Sequence, residues 1–145
     1  MVATKPLIYR ASVTDDFYLT IKNGRITYAV KGQEVLQKLI ETDEGSYYLG
    51  EIALVSNKSP LSQTDTLFYN TLFDENTACH IGIGTASPSN IQNSSNLSEE
   101  ELKAMGLNTS LLLVNVTLGT EDMKVMGIQE GGTEVLLMKD GDSQF

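Results

Sequence analysis

The sequence has few of several residue types, and each shortage narrows the possible functions. Its 145 residues include one cysteine, one histidine, three prolines and no tryptophan. A single cysteine permits no internal disulfide bond, which favours a reducing compartment, and we therefore expect a cytoplasmic protein. No apolar run approaches the roughly 20 residues that a membrane-spanning helix needs. The first ten residues also lack the apolar segment of a secretory signal.

Positive charge is also scarce. Ten Lys and Arg residues face 19 Asp and Glu residues, which gives a formal net charge of -9. Nucleic-acid binding depends on clustered cations that contact phosphates, and anionic membrane surfaces attract basic segments. The charge balance therefore argues against both partners.

The length suits a single domain over residues 1–145. The strongest local signal is "FYLTIKNGRITYAV", where apolar residues alternate on both sides of Asn23-Gly24. Both turn residues tolerate positive φ, as a two-residue type I′ turn requires. The pattern predicts a β-hairpin.

Two short helices are predicted. Apolar residues recur at helical spacing in "GQEVLQKLIET". The second helix begins at Ser98, whose capping box is completed by Glu101, and it ends at Gly106. The order of helices and strands lacks regular βαβ alternation, so we expect an α+β fold with a mainly antiparallel sheet. Strands are predicted in "YYLGEIALV", "TLFYNTLF", "SLLLVNVTLGT", "MKVMGI" and "TEVLLMKDG".

The side chains that suggest chemistry lie in two stretches. Glu51 interrupts the apolar "LGEIALV", where it either faces solvent or is buried beside a partner or a metal ion. "FDENTACHIGIG" places Glu75 five residues before His80, the single histidine. Carboxylate and imidazole are metal-ligand types, but this spacing is no zinc-helix motif, so a structural histidine is the alternative. We expect Cys79 to be a small buried residue.

Longer motifs resemble a known family. The segments "ETDEGSYYLGEIALV", "SPLSQTDTLFYNTLFDENTACHIGIG" and "SEEELKAMGLNTS" are similar to the C-terminal part of the M29 metallo-aminopeptidases. The similarity extends over nearly the whole chain. It implies two-metal hydrolysis of N-terminal residues from peptides, with zinc, cobalt or manganese as the metal. The implied partners are a peptide substrate and a second copy of the chain.

The resemblance also implies site residues. The Glu of the family's "GE.ALV" strand matches Glu51, the Glu of "FDEN" matches Glu75, and the His of "CH.ALG" matches His80. All three are implied metal ligands, and Glu51 and Glu75 are also implied catalytic residues.

Three other family positions are substituted. Ser87 stands where the family has Tyr, Leu113 where it has a His ligand, and Asn115 where it has an Asp ligand. A further Glu ligand and a large N-terminal domain of the family lie upstream of the matched part. The resemblance therefore implies a truncated and catalytically impaired domain, with one weakly held ion or none. The alternatives are a non-catalytic remnant and a dimerisation or interaction module of the same fold.

Overall fold

The computed structural model describes residues 1–9, 12–30 and 33–145 and confirms the α+β class. The strand pairings in this part of the chain are antiparallel. The helices are α1 (Gln33–Ile40), α2 (Thr71–Asp74) and α3 (Glu99–Ala104). The strands are β1 (Leu7–Tyr9), β2 (Ser12–Thr14), β3 (Tyr18–Lys22), β4 (Arg25–Val30), β5 (Leu49–Ala53), β6 (His80–Gly84), β7 (Leu113–Thr117), β8 (Val125–Ile128), β9 (Glu134–Lys139) and β10 (Asp142–Ser143).

The predicted hairpin is present as β3 and β4. Lys22 pairs with Arg25 across the turn, and the two turn residues have φ values of 51° at Asn23 and 75° at Gly24. These positive values are the ones that a type I′ turn requires.

The second predicted helix is confirmed as α3. The Ser98 hydroxyl accepts a hydrogen bond from the backbone amide of Glu101, and the Glu101 carboxylate accepts one from the backbone amide of Ser98. Gly106, with a φ of 94°, follows the helix as predicted. The first predicted helix is confirmed as α1, although its predicted first residue, Gly32, lies outside the described residues.

One predicted strand is wrong. "TLFYNTLF" contains no strand; its last residues begin the one-turn helix α2, which the sequence did not predict. The Asn70 side chain caps this helix at the amide of Leu72. The carboxylate of Asp74 accepts hydrogen bonds from the backbone amides of Phe68 and Asn70. These local side-chain to backbone hydrogen bonds compete with strand pairing and are the physical reason for the difference.

The central sheet, in the order β5-β6-β7, separates the core from the opposite surface. On its inner face Ile81, Ile83, Val114 and Val116 pack into the main core. The same core includes residues of the hairpin and of α1, among them Phe17, Leu19, Ile26, Leu36, Leu39 and Ile40. Since side chains alternate along a strand, His80, Gly82, Leu113 and Asn115 belong to the outer face.

Among the described residues, the other strands form a second three-stranded sheet, β8-β9-β10, and two two-stranded sheets, β1-β2 and β3-β4. Cys79 is buried, as expected. Its Sγ atom accepts a hydrogen bond from the backbone amide of Val55 and donates one to the carbonyl oxygen of the same residue. It also contacts Met138 of β9. The C-terminal sheet is thus joined to the start of β6. In the described part of the chain, none of the helices combines the length and the apolar content needed to cross a membrane.

The carboxylate of Asp43 links the two segments that lead into β5 and β7. It accepts hydrogen bonds from the amides of Ser46 and Leu111 and from the hydroxyls of Ser46 and Ser110. The Leu111 amide has the largest effect in lowering the pKa of Asp43 to about 2. Partial burial opposes the shift, and the hydrogen bonds of Ser110 and Ser46 add to it.

Because the folded state lowers the pKa of Asp43 below its ordinary value of 3.8, the ionised carboxylate stabilises the fold above that value. This contribution is lost as the pH falls from about 4 towards 2. We expect Asp43→Asn to lower the free energy of unfolding at pH 7 and to weaken its pH dependence between pH 4 and 2. Urea unfolding followed by circular dichroism across this range measures both effects. Asp122→Asn, at an exposed turn, is the matched control, and an equal response in the two variants would contradict the assignment.

Candidate metal and peptide site

The outer face of the central sheet brings Glu51 and His80 together. Glu51 pairs with Gly82 across β5 and β6, and Glu51 Oε1 lies 3.7 Å from His80 Nε2. The His80 side chain is only 4% exposed, whereas that of Glu51 is 41% exposed. Glu51 thus lies on the side away from the core, as one of the two sequence interpretations predicts, yet it contacts a buried imidazole.

The second ring nitrogen of His80 faces a backbone carbonyl. Nδ1 lies 3.2 Å from the carbonyl oxygen of Ala78, which can only accept a hydrogen bond. A proton on Nδ1 would be donated to this oxygen, and Nε2 is the ring nitrogen directed towards Glu51. A backbone carbonyl on the far nitrogen is a common way to orient a histidine that binds a metal ion.

Strand β7 places two further side chains beside this pair. Asn115 is paired with Gly82 and Leu113 with Gly84. A Cβ atom at Gly82 would lie 2.8 Å from Glu51 Cβ and 3.0 Å from Asn115 Oδ1. It would lie 3.1 Å from Leu113 Cδ1. The three side chains therefore converge above the backbone of Gly82.

Asn115 connects this group to Glu75. Its Nδ2 atom donates a hydrogen bond of 2.6 Å to Glu75 Oε2. Its carbonyl oxygen, Oδ1, is buried without a hydrogen-bond partner in the described structure. A buried acceptor without a partner is costly in free energy, so this atom is suited to a ligand.

Ser87 does not join the group. It is exposed and lies beyond the end of β6. Its hydroxyl oxygen lies 2.7 Å from that of Ser89, and the two hydroxyl groups form a hydrogen bond. Asp74 has its two carboxylate oxygens engaged by backbone amides and acts as a scaffold for α2.

A cleft of about 440 Å³ adjoins the group between β1, α2 and β7. Its lining includes Glu75, Asn115 and Leu113 together with apolar residues of β1 and α2. The cleft is the part of the site that the sequence interpretation missed, because β1 was not predicted and the segment before α2 was assigned to a strand.

The side chains around Gly82 supply oxygen and nitrogen donors of the types that bind divalent cations. In the residues that the structure describes, no three His, Cys, Asp or Glu side chains form a metal-binding group by themselves. Asn115 adds an oxygen donor, since its unpartnered Oδ1 atom faces the backbone of Gly82 beside Glu51, while its Nδ2 atom binds Glu75. Carboxylate, imidazole and amide oxygen donors are compatible with zinc, cobalt or manganese.

Comparison with known proteins decides the family. The model of the family described as thermophilic metalloprotease (M29) matches residues 1–143. The chain belongs to the M29 family. This M29 chain is 46% identical over 145 residues to "Aminopeptidase AmpS" of Bacillus subtilis, covering 99% of the chain and 35% of that relative. It is 44% identical over 144 residues to "Aminopeptidase 2" of Geobacillus stearothermophilus, covering 98% and 35%.

A solved structure agrees with the M29 assignment and with the fold. The structure titled "Wild-type AmpT from Thermus thermophilus" superposes with a TM-score of 0.91 at 35% identity, covering 99% of this chain and 36% of that one. The M29 chain thus spans about a third of the length of the relatives it matches.

Proposed function

We propose that this chain is the metal-binding domain of a metallo-aminopeptidase, an enzyme that removes N-terminal residues from peptides. The observation that carries the proposal is that Glu51, which lies 3.7 Å from His80, meets Asn115 above Gly82, and that Glu75 is hydrogen-bonded to Asn115. Membership of the M29 family and similarity to proteins named as aminopeptidases support the reaction class.

Glu51, Glu75 and His80 are the proposed metal ligands, with Asn115 Oδ1 as a neutral fourth donor. A divalent cation held there would act as a Lewis acid towards a peptide carbonyl. The chain's own residues have separate tasks. The Ala78 carbonyl holds the His80 ring so that Nε2 faces the site, and Asn115 orients the carboxylate of Glu75. Since Asn115 engages one of its two oxygens, Glu75 keeps the other oxygen for the metal ion.

The proposal is limited to one ion. Leu113 offers no donor atom, and its side chain stands above Gly82 among the donors. Asn115 brings an uncharged oxygen, so the negative charge available to balance two cations is smaller. Catalysis by this chain is for these reasons proposed to be impaired.

Metal titration tests the proposal directly. His80 is the single histidine, so its imidazole resonances in NMR report on this site alone. We expect Zn²⁺, Co²⁺ or Mn²⁺ to bind with a stoichiometry of one ion per chain and to perturb these resonances. Calorimetry should show an affinity at least about tenfold lower in Glu51→Gln and in His80→Asn, since even residues that only support metal ligands contribute that much.

Glu99→Gln is the control for the loss of a carboxylate, because Glu99 is exposed on α3. Its metal affinity should equal that of the unmodified chain. Binding that leaves the His80 resonances unchanged, or that Glu99→Gln weakens equally, would refute the proposed site. Two tight ions per chain would refute the limit to one.

A non-catalytic domain is the second candidate, and the position of Leu113 favours it. Hydrolysis of a chromogenic aminoacyl substrate with added Co²⁺ separates the two candidates. A rate that disappears in Glu75→Gln supports the enzyme. No rate in a chain that binds metal normally supports the second candidate.

A further inference from the structure

Glu75 lies on a short turn, whereas Glu51 and His80 lie on paired strands of the central sheet. Residues Glu75–Thr77 form a single turn of 3₁₀ helix directly after α2. Such a turn has few backbone hydrogen bonds, and their geometry is poorer than that of an α-helix. The position of the Glu75 carboxylate therefore depends on the side-chain contacts of this segment.

Thr77 anchors the turn from the inside. It comes two residues after Glu75 and is only 4% exposed. Its hydroxyl donates a hydrogen bond of 2.6 Å to the carbonyl oxygen of Asp74. Its own carbonyl oxygen accepts one of 2.6 Å from the hydroxyl of Ser62. These bonds tie both ends of the turn to one buried residue.

Lys5 reaches the same hydroxyl from a distant part of the chain. Its Nζ atom donates a hydrogen bond of 2.9 Å to Thr77 Oγ1, across a separation of 72 residues. The Thr77 hydroxyl thus acts as donor and acceptor at once. A hydrogen bond with a charged donor is roughly twice as strong as a neutral one, so Lys5 holds this side of the turn firmly.

The backbone next to Lys5 is fixed without help from the lysine side chain. The amide of Thr4 donates a hydrogen bond of 2.9 Å to the carbonyl oxygen of Thr117 in β7. The Thr4 hydroxyl donates one of 3.0 Å to the carbonyl oxygen of Gly119. Removing the ammonium group of Lys5 should therefore leave this segment on β7 and release only the turn.

These contacts close a path between the turn and β7. The path leads from β7 to Thr4, Lys5 and Thr77, and it returns to β7 where Glu75 Oε2 accepts the hydrogen bond of 2.6 Å from Asn115 Nδ2. One side of the path thus fixes how far the turn stands from the strand that carries Asn115.

We propose that Lys5 is a positioning residue for Glu75. Through Thr77 it sets the distance between the turn and β7 at which the Glu75 carboxylate meets Asn115. Lys5 acts through the turn and is not itself a ligand. The inference rests on the proposed function for the role of Glu75 as a metal ligand, but the hydrogen bond between Glu75 and Asn115 can be followed without metal.

The first test uses the full chain with EDTA and NMR. Lys5→Met keeps an unbranched apolar stem and removes the ammonium group. We expect the side-chain amide resonances of Asn115 to shift in this variant, because their hydrogen bond to Glu75 changes. The Asn115→Asp variant, which lacks these resonances, assigns them. Lys22→Met is the matched control, since Lys22 is exposed on β3, and it should leave them unchanged.

The second test is calorimetric titration with Zn²⁺. Lys5→Met and Thr77→Val should each lower the affinity about fivefold or more, somewhat less than the loss of a direct partner of a metal ligand. Thr77→Ser keeps the hydroxyl and should bind nearly as well as the parent chain. Adding Lys5→Met to Thr77→Val should cause no further loss, because both substitutions break the same contact.

Unchanged Asn115 resonances in Lys5→Met would overturn the inference, even if that variant were less stable, and so would additive losses in the double variant. The proposed metal site is judged separately. Shifted Asn115 resonances in Lys5→Met, together with no metal binding by the parent chain, overturn the metal site alone. Metal binding by the parent chain that Lys5→Met leaves unchanged overturns the role of Lys5 alone.

Discussion

Replacing Leu113 with His and Asn115 with Asp is expected to raise the affinity for Zn²⁺ or Co²⁺ at least about tenfold, equivalent to 1.4 kcal/mol. Both positions lie on the outer face of β7, beside Gly82 and Glu51. An imidazole at position 113 adds a nitrogen donor, and a carboxylate at position 115 adds a negative charge. Calorimetric titration measures the affinity, and the stoichiometry is expected to rise from one ion to two.

The control is Leu111→His combined with Asn115→Asp. It adds the same two functional groups, but the side chain at position 111 is exposed to solvent outside the site. This variant should gain less affinity than the double substitution at 113 and 115. If the folded double variant binds metal no better than the parent chain, the outer face of the sheet does not hold the arrangement proposed here.

The second large effect is expected at Gly84. Gly84→Ala should reduce the free energy of unfolding by about 3 kcal/mol or more. Gly84 has a φ of 101°, and an added Cβ would lie 2.0 Å from the backbone oxygen of Leu112. Neither the strain nor the clash can be relieved by a side-chain rotation, because the obstructing atom belongs to the backbone. Urea unfolding and the content of soluble protein measure the effect.

Two other glycines separate the causes. Gly24 has a φ of 75° with no atom near the added Cβ, so Gly24→Ala should show the conformational strain alone, about 1 kcal/mol. Gly131 has open space and no positive φ, so Gly131→Ala should leave stability nearly unchanged. If Gly84→Ala were no worse than Gly24→Ala, the close approach of β6 to Leu112 would be wrong.

Local features followed from the sequence with little error. The hairpin turn at Asn23-Gly24 and the capping box of Ser98 and Glu101 depend on residues within a few positions of each other. The mistaken strand in "TLFYNTLF" shows the limit of such patterns. Aromatic residues favour a strand, but Asn70 and Asp74 bind nearby amides and stabilise the turn of α2 instead.

The candidate site was predictable in its residues and not in its contacts. The motifs single out Glu51, Glu75 and His80, and the substitutions at 113 and 115 are visible in the sequence. The hydrogen bond from Asn115 to Glu75 joins residues 40 positions apart. The cleft likewise combines β1, α2 and β7, so neither feature could be read from spacing along the chain.

By itself, the sequence determined the family, the fold class, the main turns and caps, and the chemical types available to the site. The tertiary structure decided which of these groups meet. Antiparallel pairing of β5, β6 and β7 sets the register that places Glu51 and Asn115 beside Gly82 and buries His80 next to Glu51. A shift of one residue in that register would turn each side chain to the other face of the sheet, so only the folded pairing brings the donors together.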